Sequence, residues 1–180
     1  MEIDRTGLDG CYIVRPFRAR DDRGKFVKTY NCDSFASFGL QTEWSEEYVS
    51  VSKKNVIRGM HFQSPPHEHS KLVFCLRGKA LDVVVDLRRS SCTYGKYFKI
   101  ELDADDDLGL YIPRGFAHGF LALDNDTTMQ YKVSSVYAPE NDMGIRWDSF
   151  GLDWEIACPI LSKRDREHPM LNEFESPFYK

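Results

Sequence analysis

The 180-residue sequence predicts an all-β domain built as an antiparallel sandwich or barrel. Three observations carry this expectation. Short runs rich in Val, Leu, Phe and Tyr recur along the chain, clusters of Gly, Pro and Asp punctuate them, and helix-forming periodicity is thin. Residues 31–39 hold one short helix, in which Asn31 or Asp33 serves as cap and Gly39 as terminator. Residues 58–63 follow as a strand, with Arg58 and Met60 expected on one face and Gly59 and His61 on the other. Residues 71–76 and 80–87 are apolar strands separated by a tight turn at Arg77-Gly78-Lys79. Residues 97–102 alternate, 108–112 are apolar, and 119–123 and 129–136 complete the strand set. The polar, Pro-bounded stretch from Pro159 onward wraps the barrel. A barrel of this kind offers an interior with a mouth.

Length and composition place all of this in one domain spanning residues 1–180, with 42% hydrophobic residues and a net charge of -4. Without a basic excess there is no backbone-binding surface for a nucleic acid, although two phosphates on a small ligand need only a local group of cations. No run approaches the roughly 18 apolar residues of a membrane span, and residues 1–10 lack the apolar core of a signal peptide. A cytoplasmic protein without membrane or nucleic-acid partners is expected. The five cysteines, at 11, 32, 75, 92 and 158, form an odd set without close pairs, which predicts buried free thiols in a reducing compartment.

Three places concentrate polar chemistry. The first is Arg58-Gly59-Met60-His61-Phe62-Gln63, followed by Lys71. The second is Pro113-Arg114-Gly115-Phe116-Ala117-His118-Gly119, a turn delivering His118 to the start of the next strand. Tyr131-Lys132 on a later strand is the third. Taken singly, each has a structural alternative: a hydrogen-bonded imidazole on a half-buried strand, an imidazole at a corner, a packed phenol with its hydroxyl at the rim. His67-Glu68-His69 has the spacing of a metal motif, with His118 as a remote third imidazole. The carboxylate such a site needs is replaced by Val73 and Phe74, so no metal and no cofactor is expected. His67 and His69 are expected on an exposed loop after Pro65-Pro66.

With these residues in view, the chain closely resembles the dTDP-4-dehydrorhamnose 3,5-epimerase family of the cupin superfamily. The likeness runs from about Arg15 to Leu171. Its landmarks are Arg23-Gly24, residues 55–63, Lys71-Leu72-Val73, residues 82–88, residues 111–120, Tyr131-Lys132, residues 144–147, and Leu161-Ser162 to Asp165. The resemblance implies a cupin-type jelly-roll barrel that needs no metal and works as a homodimer, with part of the site completed across the interface. It implies His61 as general base oriented by Asp165, Tyr131 as the acid on the opposite face of the sugar, and Lys71 beside the enolate oxygen. His118 and Arg58 are implied as contacts to sugar or phosphate, and Arg23 as a contact to the diphosphate of a nucleotide-linked 4-keto-6-deoxy-sugar.

That chemistry requires these residue types. Removing a proton beside a carbonyl with an imidazole is uphill by roughly a dozen pKa units, at ~1.36 kcal/mol each. A cation at the carbonyl oxygen must close much of that gap. Inversion needs a second group on the far face, and a phenol, neutral at pH 7, is a suitable donor.

The chain departs from the family pattern at positions expected to touch substrate. Glu46 and Tyr48 stand where typical members carry Gln and Asn against thymine, and Lys28 replaces a Glu. Asp142 replaces a Glu near residues 137–139, and Arg164 replaces the Lys before Asp165. A carboxylate only accepts hydrogen bonds, so Glu46 suits the donor edge of cytosine or guanine better than thymine, and CDP or GDP is the expectation that follows. If Glu46 instead points to solvent, backbone groups read the base. Two other functions fit the sequence: a metal-dependent cupin oxygenase or sugar isomerase, and a non-catalytic sugar-binding barrel.

Overall fold

Thirteen strands and two short helices follow from these patterns in the structure, a computed structural model that describes residues 1–179. In chain order they are β1 (Glu2–Arg5), β2 (Tyr12–Arg15), β3 (Phe17–Asp21), β4 (Gly24–Lys28), α1 (Cys32–Ser37), β5 (Glu46–Ser52), β6 (Ile57–Gln63) and β7 (Lys71–Arg77). Then come β8 (Lys79–Asp86), β9 (Tyr97–Asp103), β10 (Gly109–Ile112), β11 (Phe116–Ala122), β12 (Thr127–Val133), β13 (Asp142–Gly144) and α2 (Lys163–Glu167).

Two sheets face each other in a cupin-like jelly roll, the fold class expected. One is ordered β1-β2-β10-β7-β12-β5 and the other β13-β6-β11-β8-β9, while β3 and β4 form a separate ribbon. All strand pairs are antiparallel. Side-chain alternation sends Val73, Cys75, Leu110, Ile112, Phe116, Phe120, Met129 and Tyr131 into the space between the sheets. The outer face of the five-stranded sheet is also covered. There Ile57, Met60, Val83, Val85, Ala117 and Leu121 lie under Ile145, Phe150, Leu152, Trp154 and Phe178 of the C-terminal wrap. The outer face of the six-stranded sheet packs Leu72, Phe74 and Tyr111 against Phe35 of α1. Burial on both faces explains why β8, β10 and β11 read as continuous apolar runs.

The expected helix is present, with the Asn31 side chain accepting from the Ser34 amide at 2.9 Å. The turn at Gly78 is as tight as expected, since β7 ends at Arg77 and β8 begins at Lys79. Several details differ from the sequence reading. β1 to β5 carried no apolar signature because β3 is exposed throughout and β5 is an edge strand paired only with β12. His118 is the third residue of β11, not its entry, because that strand begins at Phe116. All five cysteines are free, but only Cys11 and Cys75 are buried; Cys32, Cys92 and Cys158 are exposed on a helix start and two loops. Among the described residues no helix is long and apolar enough to cross a membrane.

Candidate active site

At one end of the space between the sheets the apolar filling stops and a cavity of about 430 Å³ opens. Phe120 and Tyr131 belong both to the core and to the cavity wall, so packed side chains form its floor. The six-stranded sheet contributes Tyr48, Ser50, Lys71 and Tyr131; the five-stranded sheet contributes Arg58, His61, Gln63, His118 and Asp142.

His61 reaches the cavity through a break in strand alternation. His61 pairs with His118, but Arg58 pairs with Phe120, so β6 has one residue more than β11 between these points. This bulge brings Arg58 and His61 to one face while Met60 turns into the outer core. The facing expected from simple alternation, Arg58 with Met60 and His61 opposite, is therefore corrected. Gly59 permits the bulge: its φ is +141°, and a Cβ there would lie 2.5 Å from the Gly119 Cα.

The His61 Nε2 meets Asp165 Oδ1 at 2.6 Å. Asp165 arrives from a hundred residues away by a local device. Ile160 is tied to the head of β6, the Ile57 amide donating to Ile160 O at 3.0 Å and the Ile160 amide to Asn55 O at 2.8 Å. Ser162 then caps α2 by accepting from the Asp165 amide at 3.0 Å. Asp165 is the only buried residue of α2. Burial works to raise its pKa, but the bonds from His61 and Ser162 outweigh burial, and the carboxyl is held below its usual range.

Lys71 opens β7 between β10 and β12, on the inward face shared with Val73 and Cys75. Its ammonium is buried and donates to the His61 carbonyl at 3.2 Å. Burial pushes its pKa down to about 8, with Asp142 and Asp82 working in the opposite direction. Tyr131 sits across the cavity on β12. Burial drives its phenol pKa upward, so it stays protonated, and its hydroxyl lies 3.4 Å from Ser50 Oγ. Tyr48, its cross-strand partner on β5, stacks on it with centroids 4.9 Å apart and planes at 19°. His118 Nε2 lies 2.9 Å from each oxygen of the fully buried Asp82. Burial depresses the His118 pKa more strongly than Asp82 raises it.

At the mouth, Arg58 is anchored to β5: its Nε donates to Ser52 Oγ at 2.9 Å and its Nη2 to the Val51 carbonyl at 3.3 Å, while the side chain lines the cavity. Arg164 and Asp142, two departures from the family pattern, are bonded to each other by 2.5 and 2.7 Å contacts in a bidentate pair. Glu46 lies behind this rim and accepts from the Tyr137 amide at 3.0 Å. Arg23 and Lys28 are not at this cavity. They sit on the exposed β3–β4 ribbon, where Arg23 is bonded to Asp21.

His67 and His69 also differ from the exposed loop expected of them. Gln63 Nε2 and Ser135 Oγ both donate to the His67 carbonyl at 2.8 Å, which pulls the loop down and turns His69 into the cavity wall. Burial lowers the His69 pKa to about 3. These two imidazoles do not cluster with His118 as metal ligands among the described residues; the one such cluster is His61, Asp165 and His168. The sequence reading passed over Ser50, Asp82 as a partner of His118, His69 as a wall residue, Tyr137 and His168. Only His168 had a usable signal, an imidazole three residues after Asp165 at the end of a short capped helix.

Comparison with known proteins agrees with this architecture. The family model for dTDP-4-dehydrorhamnose 3,5-epimerase matches residues 5–173. The dTDP-4-dehydrorhamnose 3,5-epimerases of Methanothermobacter thermautotrophicus and Escherichia coli are 39% and 38% identical, covering 97% and 96% of this chain and 96% of each relative. The crystal structure of the Legionella pneumophila dTDP-6-deoxy-D-glucose-3,5-epimerase in complex with dTDP-4-keto-L-rhamnose superposes with a TM-score of 0.94 at 31% identity, covering 99% of this chain and 98% of that one. With an interior cavity walled by two facing sheets and a match along nearly its whole length, the chain belongs to the dTDP-4-dehydrorhamnose 3,5-epimerase family and is an epimerase, an isomerase by class.

Proposed function

We propose that the chain inverts C3, C5 or both of a nucleotide-diphosphate 4-keto-6-deoxy-hexose, with His61 as base and Tyr131 as acid. One observation carries this reading: His61, held by Asp165 of α2, lies on one sheet and the protonated Tyr131 phenol on the facing sheet, with the buried Lys71 ammonium beside them. Asp165 holds the imidazole so that its other ring nitrogen faces the sugar. The base takes the proton next to the C4 carbonyl, the developing oxyanion is held by Lys71, and Tyr131 returns a proton to the opposite face. The phenolate left behind is re-protonated from solvent, and His61 releases its proton there, before the next turnover. His118, Arg58 and the Arg164–Asp142 pair bind and orient sugar and phosphates.

Tyr131→Phe separates the two half-reactions. It keeps the stack on Tyr48 but removes the donor, so product formation is expected to fall by about 10²-fold or more while deuterium uptake from solvent falls less. Equal loss of both would remove Tyr131 from the acid role.

For the nucleotide we propose CDP or GDP. Glu46 lies outside the cavity lining, but its Oε1 accepts from the amide of Tyr137, a lining residue, which leaves Oε2 as an acceptor for a base amino group reaching past the rim. Competition binding among dTDP, CDP and GDP tests this; a clear preference for dTDP rejects it and leaves the epimerase reading intact. We also propose a homodimer in which Arg23 and Lys28 serve the partner's cavity. The exposed aromatics Phe17 and Phe26 on the same ribbon, and Val49 and Val51 on the edge strand β5, support that arrangement.

A further inference from the structure

Behind the dyad lies an imidazole with no assigned task. His168 follows α2 and directs its Nε2 at Asp165 Oδ1, 3.9 Å away, with its ring 5.7 Å from that of His61 in an edge-on arrangement. That nitrogen is buried and has no hydrogen-bond partner, an uncommon condition for a polar atom. Room for it comes from Gly144 on β13, where a Cβ would lie 2.5 Å from Nε2. The ligand atoms of His61, Asp165 and His168 lie within 4.8 Å of one another.

We propose that His61, Asp165 and His168 form an inhibitory site for Zn²⁺ or a similar borderline divalent cation, which binds there and withdraws the catalytic base. The inhibitory role rests on the assignment of His61 as base; the site itself does not. Two imidazoles and one carboxylate are a common three-ligand zinc set, and the cavity side leaves a fourth position for water. In a tetrahedral site with bonds near 2.0–2.2 Å, neighbouring ligand atoms stand about 3.3–3.4 Å apart. The 2.6 Å His61–Asp165 contact must open and the 3.9 Å His168–Asp165 contact must close, each by less than about 1 Å. The metal displaces the proton carried in the His61–Asp165 hydrogen bond, and that proton leaves to solvent. His168 thereby gains the partner its Nε2 lacks.

Titration calorimetry of the full chain with zinc chloride in buffers of different ionisation enthalpy tests the site. One zinc per chain with proton release is expected. Affinity should fall by at least about tenfold in both His168→Ala and His168→Asn, and stay unchanged in His67→Ala, which removes an imidazole outside the cavity. Cobalt(II) should show the visible absorption of a four-coordinate ion in the wild type and lose it in both His168 variants. Absence of stoichiometric zinc binding, or equal affinity in the His168 variants whose melting temperature is unchanged, overturns the proposal. Deuterium exchange into the sugar under buffered free zinc then tests the inhibition. Exchange should stop in the wild type and continue in His168→Ala. Bound zinc with undiminished exchange would overturn the inhibitory role, and with it His61 as base, while the calorimetry would still establish the metal site.

Discussion

Replacing His61 with alanine is expected to abolish uptake of solvent deuterium into the sugar, with turnover reduced by about 10²–10⁴-fold. The size of the loss reflects the absence of any substitute. Among the other imidazoles on the cavity wall, His118 is bound to Asp82 and His69 lies against Gln63 and Ser135. The Lys71 amine is committed to the carbonyl of His61 and, with its pKa lowered to about 8, is mainly protonated at neutral pH. The His61 side chain is 30% exposed, so its removal opens no core cavity and the melting temperature should hold. Time-resolved NMR of a dTDP-, CDP- or GDP-linked 4-keto-6-deoxy-hexose in deuterated water reads the effect and reports which carbon exchanges. Exchange at the wild-type rate would exclude His61 as base.

Lys71→Met should lower kcat/KM by about 10²–10³-fold, the scale associated with losing one donor to a developing oxyanion. Methionine retains the unbranched stem in the buried position, so folding should survive. The variant also isolates a titration. Because burial holds the ammonium near pH 8, the wild-type kcat/KM should fall as pH rises through that value, since the deprotonated amine no longer stabilises negative charge. The neighbouring phenols titrate higher: Tyr48 is pushed up to about 12 and Tyr131 further still. The alkaline limb should therefore vanish in Lys71→Met. Should it persist, the falling limb belongs to another group and Lys71 is not the enolate-stabilising cation.

The parts of the fold legible in the sequence are those where burial dictates composition. Strands β7, β8, β10 and β11 lie between covered faces and are accordingly mostly apolar, and Asn31 announces α1 by its capping chemistry. The ribbon carrying Phe17 and Phe26 is exposed apart from the half-buried Val27, so no alternation betrays it. At the site, residue identity singled out side chains that share one cavity, but not the facing of β6. Period-two reasoning cannot foresee a bulge, and only the close approach of Gly59 to Gly119 reveals why one is tolerated. Arg164 and Asp142 looked like two separate departures from the family pattern, because nothing in a linear sequence shows that positions 22 residues apart bind each other. Two prolines before His69 point to an exposed loop; the carbonyl of His67, held by Gln63 and Ser135, draws His69 inward instead.

His61 and Tyr131 belong to different sheets, so no single strand sets the gap between the base and the acid proposed above. That gap is set by the thickness of Leu110, Phe116, Phe120 and Met129, which prop the two walls apart. Trimming or swelling any of these spacers would tune the rate of inversion without touching a reacting group, making the oily interior a calliper for the reaction.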